Sequence, residues 1–202
     1  MAVAASTAAF ALAFTGLASA ATTITPAGGT VTATNVDTSV TPNVNVPMVF
    51  TTTGGVVLRC TSVTGTGTIP TSPGNTNTGT GGVNVNIASV GLSGCSLQGR
   101  PATVATSGAW TLNGNNDSGS PKGTITIPNG GVVVTSGACS ITVNATTTPP
   151  LPYSNGPAYK ATATGAGPIN FTSNGGTTFC PAAGPGTATM DGALFFPGVT
   201  IM

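Results

Sequence analysis

Apolar and small polar residues alternate one by one along much of this chain, and beyond residue 21 no segment carries an apolar stripe at helical spacing. In Val83-Asn84-Val85-Asn86-Ile87 the partners of each apolar side chain are amides, the pattern of a strand with one buried face. Gly123-Thr124-Ile125-Thr126-Ile127 repeats it with Thr outward. Val56, Leu58 and Cys60 share one face while Val57 and Arg59 take the other. Cys139, Ile141 and Val143 likewise oppose Ser140, Thr142 and Asn144, so both cysteines are in phase with a core. Further strands are expected at 30–34, 48–53, 102–106, 109–113, 132–135, 158–164, 169–172 and 188–196. Gly, Pro, Asn and Ser separate them at spacings of about ten residues. The expected fold is all-β: a two-sheet β-sandwich, with a closed β-barrel as the alternative, stapled by disulfides. Residues 21–202 are read as one domain. Segment 21–54 forms either its first strands or an N-terminal arm able to pair with a neighbouring subunit. The low-complexity stretch 66–82 is expected to be a long loop.

Charge is nearly absent. Charged residues make up 3% of the chain, against roughly 25% in ordinary soluble domains. The net charge of +1 leaves no basic footprint for nucleic acid. Disorder is not implied, because 39% of residues are apolar and disordered chains combine high charge with few such residues. There is no His, which excludes Ser-His-Asp and Cys-His catalysis, His-ligated metals and histidine pH switching. Glu is absent too, leaving Asp37, Asp117 and Asp191 as the acids. A paired-carboxylate glycosidase would need two of these three in one cleft. A non-enzyme with no catalytic residues, metal or cofactor is expected.

Residues 8–20, AAFALAFTGLASA, form an apolar run ending in Ala18-Ser19-Ala20, the small-residue pattern cleaved by signal peptidase. The run is short for a membrane span. It lacks a basic flank, and the expectation is that the true start lies upstream and that the mature chain begins at Ala21. Cys60, Cys95, Cys139 and Cys180 suit an exported protein, since they are widely spaced and contain no C-x-x-C. Four cysteines allow three pairings. The sequential one, Cys60–Cys95 with Cys139–Cys180, is expected, with nested and crossed pairings left open.

Several local motifs stop short of a site. Asn113-x-Asn115-x-Asp117 opens like a calcium loop but has Ser118 and Thr124 where Gly and Glu belong. Leu151-Pro152-Tyr153-Ser154-Asn155 departs from a sortase signal at its last two residues. Ser118 and Lys122 are not at the S-x-x-K spacing. Sequons stand at Asn116, Asn144 and Asn170. Trp110 is expected in core packing rather than sugar stacking, while Tyr153 and Tyr159 flank a Pro-rich turn. An ice-binding reading needs a regular Thr-x-Thr ladder at a fixed coil period, and no such repeat is present.

The order of landmarks supports a resemblance. Cys60-Thr61 is followed by Asn86-Ile87-Ala88-Ser89, Leu92-Ser93-Gly94-Cys95, Ala109-Trp110-Thr111-Leu112 and Gly137-Ala138-Cys139-Ser140-Ile141-Thr142-Val143. Over about residues 55–145 the chain resembles a group of small exported β-proteins of high-GC bacteria. More faintly, it is similar to the alkane-oxidation activator proteins, which share the Cys-Thr, Ser-Gly and Trp-Thr landmarks. The resemblance implies an extracellular or surface-associated protein without catalytic residues, and it carries over no ligand site. The 66–82 stretch and the region after Pro149 depart from it. The function expected is that of a secreted cell-surface or matrix structural protein, self-associating through β-strand addition and contacting envelope or matrix components. The alternative is a monomeric secreted module that binds an apolar or carbohydrate ligand.

Overall fold

The computed structural model describes residues 21–116 and 119–202; the expected signal segment, Asp117 and Ser118 lie outside the described residues. Every regular element described is a strand. The first are β1 (Thr22–Thr25), β2 (Thr30–Thr34), β3 (Val36–Asp37), β4 (Val44–Asn45), β5 (Met48–Thr52) and β6 (Val57–Thr68). Then come β7 (Thr76–Asn77), β8 (Val83–Leu97), β9 (Arg100–Thr106), β10 (Trp110–Asn115), β11 (Lys122–Ile127) and β12 (Val132–Ser136). The last are β13 (Cys139–Val143), β14 (Thr146–Thr147), β15 (Leu151–Ser154), β16 (Lys160–Ser173), β17 (Gly184–Phe195) and β18 (Thr200–Ile201).

One 13-stranded antiparallel sheet carries most of the chain, beside a 3-stranded sheet of β18, β1 and β7 and the β3–β4 pair. Four long strands, β6, β8, β16 and β17, each change partners along their length. Their hydrogen-bonded neighbours can be followed round two circuits. One runs β5–β6–β8–β9–β12–β13–β16–β17 and back to β5. The other runs β2–β6–β8–β10–β11–β15–β16–β17 and back to β2. The fold is all-β and disulfide-stapled, and its layers are stretches of one continuous sheet joined through shared strands. Strands that switch layers do so at bulges or bends. Here the register slips between Thr66 and Gly67 on β6 and between Ala163 and Ile169 on β16.

Alternation supplies the interior. Ile24, Val31, Ile69, Val85 and Leu97 are fully buried. Segment 21–54 pairs within its own chain: β1 with β18 and β7, β2 with β6, and β5 between β6 and β17. The stretch 66–82 differs from a simple loop. It begins inside β6, buries Ile69 and Asn75, and pairs Thr76 and Asn77 with β1. One buried apolar side chain and a few amide bonds suffice to fasten a sequence whose composition resembles a linker.

Candidate functional site

The four cysteines form Cys60–Cys95 and Cys139–Cys180, the sequential pairing. Cys60 and Cys95 stand directly opposite each other on β6 and β8. Cys180 ties the segment between β16 and β17 back to the start of β13. Arg100 covers Phe179 beside that bridge, its guanidinium 4.5 Å from the ring centre.

The chemically tempting groups are held in structural contacts. Asp37 accepts the backbone N–H and hydroxyl of Ser39 at 2.9 and 2.5 Å, which holds its carboxyl below the usual carboxylate range. Asp191 accepts the Gly165 N–H at 2.7 Å. Asn113 donates to Gly81 O and Asn84 Oδ1, and Asn115 to Thr80 O, so these amides bind the 79–82 turn. No group of three or more metal-ligating side chains occurs among the described residues. Leu151 and Tyr153 of β15 point into the core. The Tyr153 hydroxyl donates to Val199 O at 2.7 Å, and burial, then the charge of nearby Tyr159, raises its pKa well above the ordinary tyrosine value. Sequon residue Asn144 donates to Thr172, while Asn170 is exposed on β16.

Two features remain that could act on something outside the chain. The first is an outer face whose central rows carry no charge. Thr30, Thr68, Asn86, Thr111, Thr126 and Thr147 are successive cross-strand partners on β2, β6, β8, β10, β11 and β14. Directly opposed residues project from the same side of a sheet, so the six make one row. Thr32–Thr66–Ser89 and Asn84–Asn113–Thr124 continue the face on either side. Strand spacing makes it roughly 25 Å across, with rows about 7 Å apart. Thr126 and Thr147 share a hydrogen bond of 2.9 Å along the row, and Lys122 stands at one corner. The rows follow the twist of the sheet and are assembled from six separate strands. That is why no fixed repeat in the sequence announced them.

The second feature is apolar. A cavity of about 90 Å³ lies among apolar side chains that include Met48, Phe50, Leu92, Ile141 and Phe171. A second, of about 50 Å³, is lined by residues such as Ala33, Ile87, Val90 and Phe196. Val63, Trp110, Ile125 and Leu194 line both. Trp110 stands where β10 leaves β8, opposite Ile87. Its indole Nε1–H is buried and has no hydrogen-bond partner among the described residues. An unmet buried donor costs about 1–3 kcal/mol. The sequence pattern placed Trp110 in a core strand correctly but carried no sign of the cavities beside it.

No protein-family model, curated protein or solved structure matches the chain, so its function has to be read from its own residues and geometry.

Proposed function

We infer that this is a non-catalytic structural protein of the cell exterior, exported by its N-terminal segment and packing against further copies of itself. The observation that carries the reading is the Thr- and Asn-rich face laid across six strands without an acidic or basic side chain in its rows. Hydroxyls and amides keep such a face wettable. With a net charge of +1, little long-range repulsion holds copies apart. Two disulfides agree with an extracytoplasmic setting. No helix among the described residues is long and apolar enough to cross a membrane.

The size of the face decides what kind of association fits. A patch of roughly 25 by 15 Å offers about half the area that each partner of a stable dimer contributes. Weak, repeated contacts in a crowded layer or matrix suit it better than a tight dimer in dilute solution. Strand addition requires segment 21–54 to leave its internal partners and exchange between copies. Size-exclusion chromatography and negative-stain microscopy of the protein recovered from culture medium or envelope test the reading. Extended or concentration-dependent assemblies support it. A strict monomer at every concentration, or a chain confined to the cytosol with residues 1–20 attached, contradicts it.

A further inference from the structure

We propose that the apolar space within the strand circuits is a binding site for a small hydrocarbon of about ring size that carries no polar group. This goes beyond the structural role and does not depend on it. The larger cavity, of about 90 Å³, takes lining side chains from every strand of the first circuit except β9. The smaller, of about 50 Å³, takes them from β2, β6, β8, β10, β11 and β17 of the second. A closed ring of about eight strands encloses just enough room for its own side chains or for one small ligand. Each circuit is of that size, and short side chains such as Val63, Val132, Val134 and Ala188 on the lining of the larger cavity leave part of the room unfilled. Together the two volumes approach that of an apolar cavity known to take one benzene ring.

The lining selects the occupant by what it lacks. The surface that both cavities present is almost entirely carbon. Thr52 and Thr148 are the hydroxyl side chains on the larger lining, and they already accept Val56 N–H and Ile125 N–H. A buried water needs two to four polar partners, so water is poorly held here. A hydrocarbon that enters gains close contacts with the surrounding side chains that an unfilled space forfeits. Met48 and Met190 add flexible thioethers to the wall, which adapt to the shape of an occupant. A hydroxyl, amine or carboxylate carried in with the ligand would lose its hydration and find nothing in this lining to replace it. Sugars and charged molecules are therefore rejected, and so is a ring of the right shape bearing a single hydroxyl.

The methionines report on the site directly. Met48 and Met190 line the larger cavity, whereas Met202 is exposed. The experiment titrates full-length protein carrying ¹³C-methyl methionine with benzene and, separately, with phenol, in wild type and in Ala188→Leu. Ala188 lines the cavity, and the longer side chain takes up part of its space. In wild type, benzene is expected to shift the Met48 and Met190 methyl resonances saturably and to leave Met202 in place. Phenol has nearly the same shape and adds one hydroxyl without a partner, so it should bind at least about tenfold more weakly. Ala188→Leu should abolish the benzene shifts at Met48 and Met190. Shifts that do not saturate, or that appear equally at Met202, overturn the proposal. Phenol bound as tightly as benzene overturns it too, as does an Ala188→Leu variant that binds benzene as well as wild type. If that variant does not fold, the comparison of benzene with phenol on wild type decides.

Discussion

Asn35 is a fully buried amide with every polar atom engaged. Its Nδ2 donates to Asn45 Oδ1, Val46 O and Thr61 O at 2.9, 3.1 and 2.9 Å, and its Oδ1 accepts Val63 N–H at 2.8 Å. It spans the stretch of β6 that β5 has left and β2 has not yet joined. Asn35→Ala strands those backbone groups, and urea unfolding should show a loss of about 3 kcal/mol; a loss within error of zero would remove Asn35 from this role. The titratable side chains make a second prediction. No His is present, so the melting temperature should stay flat between about pH 5 and 9. Asp37 has a lowered folded pKa, so its contribution is present above the ordinary carboxylate value and fades as pH falls through the folded one. Tyr153 has a raised folded pKa, so stability should fall above about pH 10, where the unfolded chain ionises first. Tyr153→Phe should flatten that alkaline edge while costing about 1 kcal/mol at neutral pH. A midpoint of stability loss near pH 6.5 would contradict the flat profile.

Among the elements, the partner-switching strands carry the architecture. A Cβ on Gly67, at the β6–β8 register slip, would lie 2.2 Å from Asn86 O, a backbone atom that cannot step aside. Gly67→Ala should therefore destabilise by at least about 2 kcal/mol. Gly123→Ala on β11, whose Cβ would meet nothing closer than 3.5 Å, should stay within about 0.5 kcal/mol in the same thermal melts. Each disulfide closes a loop of similar length, with separations of 35 and 41 residues, which loop-closure entropy values at about 4 kcal/mol apiece. Reduction should lower the melting temperature sharply, and unchanged melting would move the source of stability elsewhere. These same strands explain what could be read in advance. Alternation located β11, β12 and β13 nearly to the residue, because each runs straight with one face inward. It stopped at Ile87 on β8, because Ala88 is the extra residue at the bulge and Gly91 and Gly94 follow. It split β16 in two, because Gly165, Gly167 and Pro168 interrupt the apolar pattern where the strand exchanges partners. The cysteine pairing was legible only in part: the sequential form was the expected one, but the nested and crossed forms stayed open until β6 and β8 set Cys60 opposite Cys95. The Thr rows were not, since Thr30, Thr68, Asn86, Thr111, Thr126 and Thr147 meet only through strand register. Nor were the cavities, whose shared lining of Val63, Trp110, Ile125 and Leu194 comes from four separate strands.

For the whole molecule, scarcity of charge is the dominant property. A few cations serve the entire described surface: Arg59, Arg100, Lys122 and Lys160. Natural sheets usually set Lys at exposed edges to keep strands of other molecules away; here most edges are instead consumed by the two circuits. What remains open to a second copy is the outer face, and a charge placed in its central rows should act far more strongly than one placed elsewhere. Thr66 and Thr126 are exposed on β6 and β11 and lie in adjoining rows. Light scattering of the secreted full-length protein over a wide concentration range, compared with Thr66→Lys/Thr126→Lys, tests the association most directly. The account predicts that the apparent mass of wild type rises with concentration and that the double variant stays monomeric with an unchanged melting temperature. A wild type that remains monomeric throughout, or a double variant that associates as strongly as wild type, would contradict it.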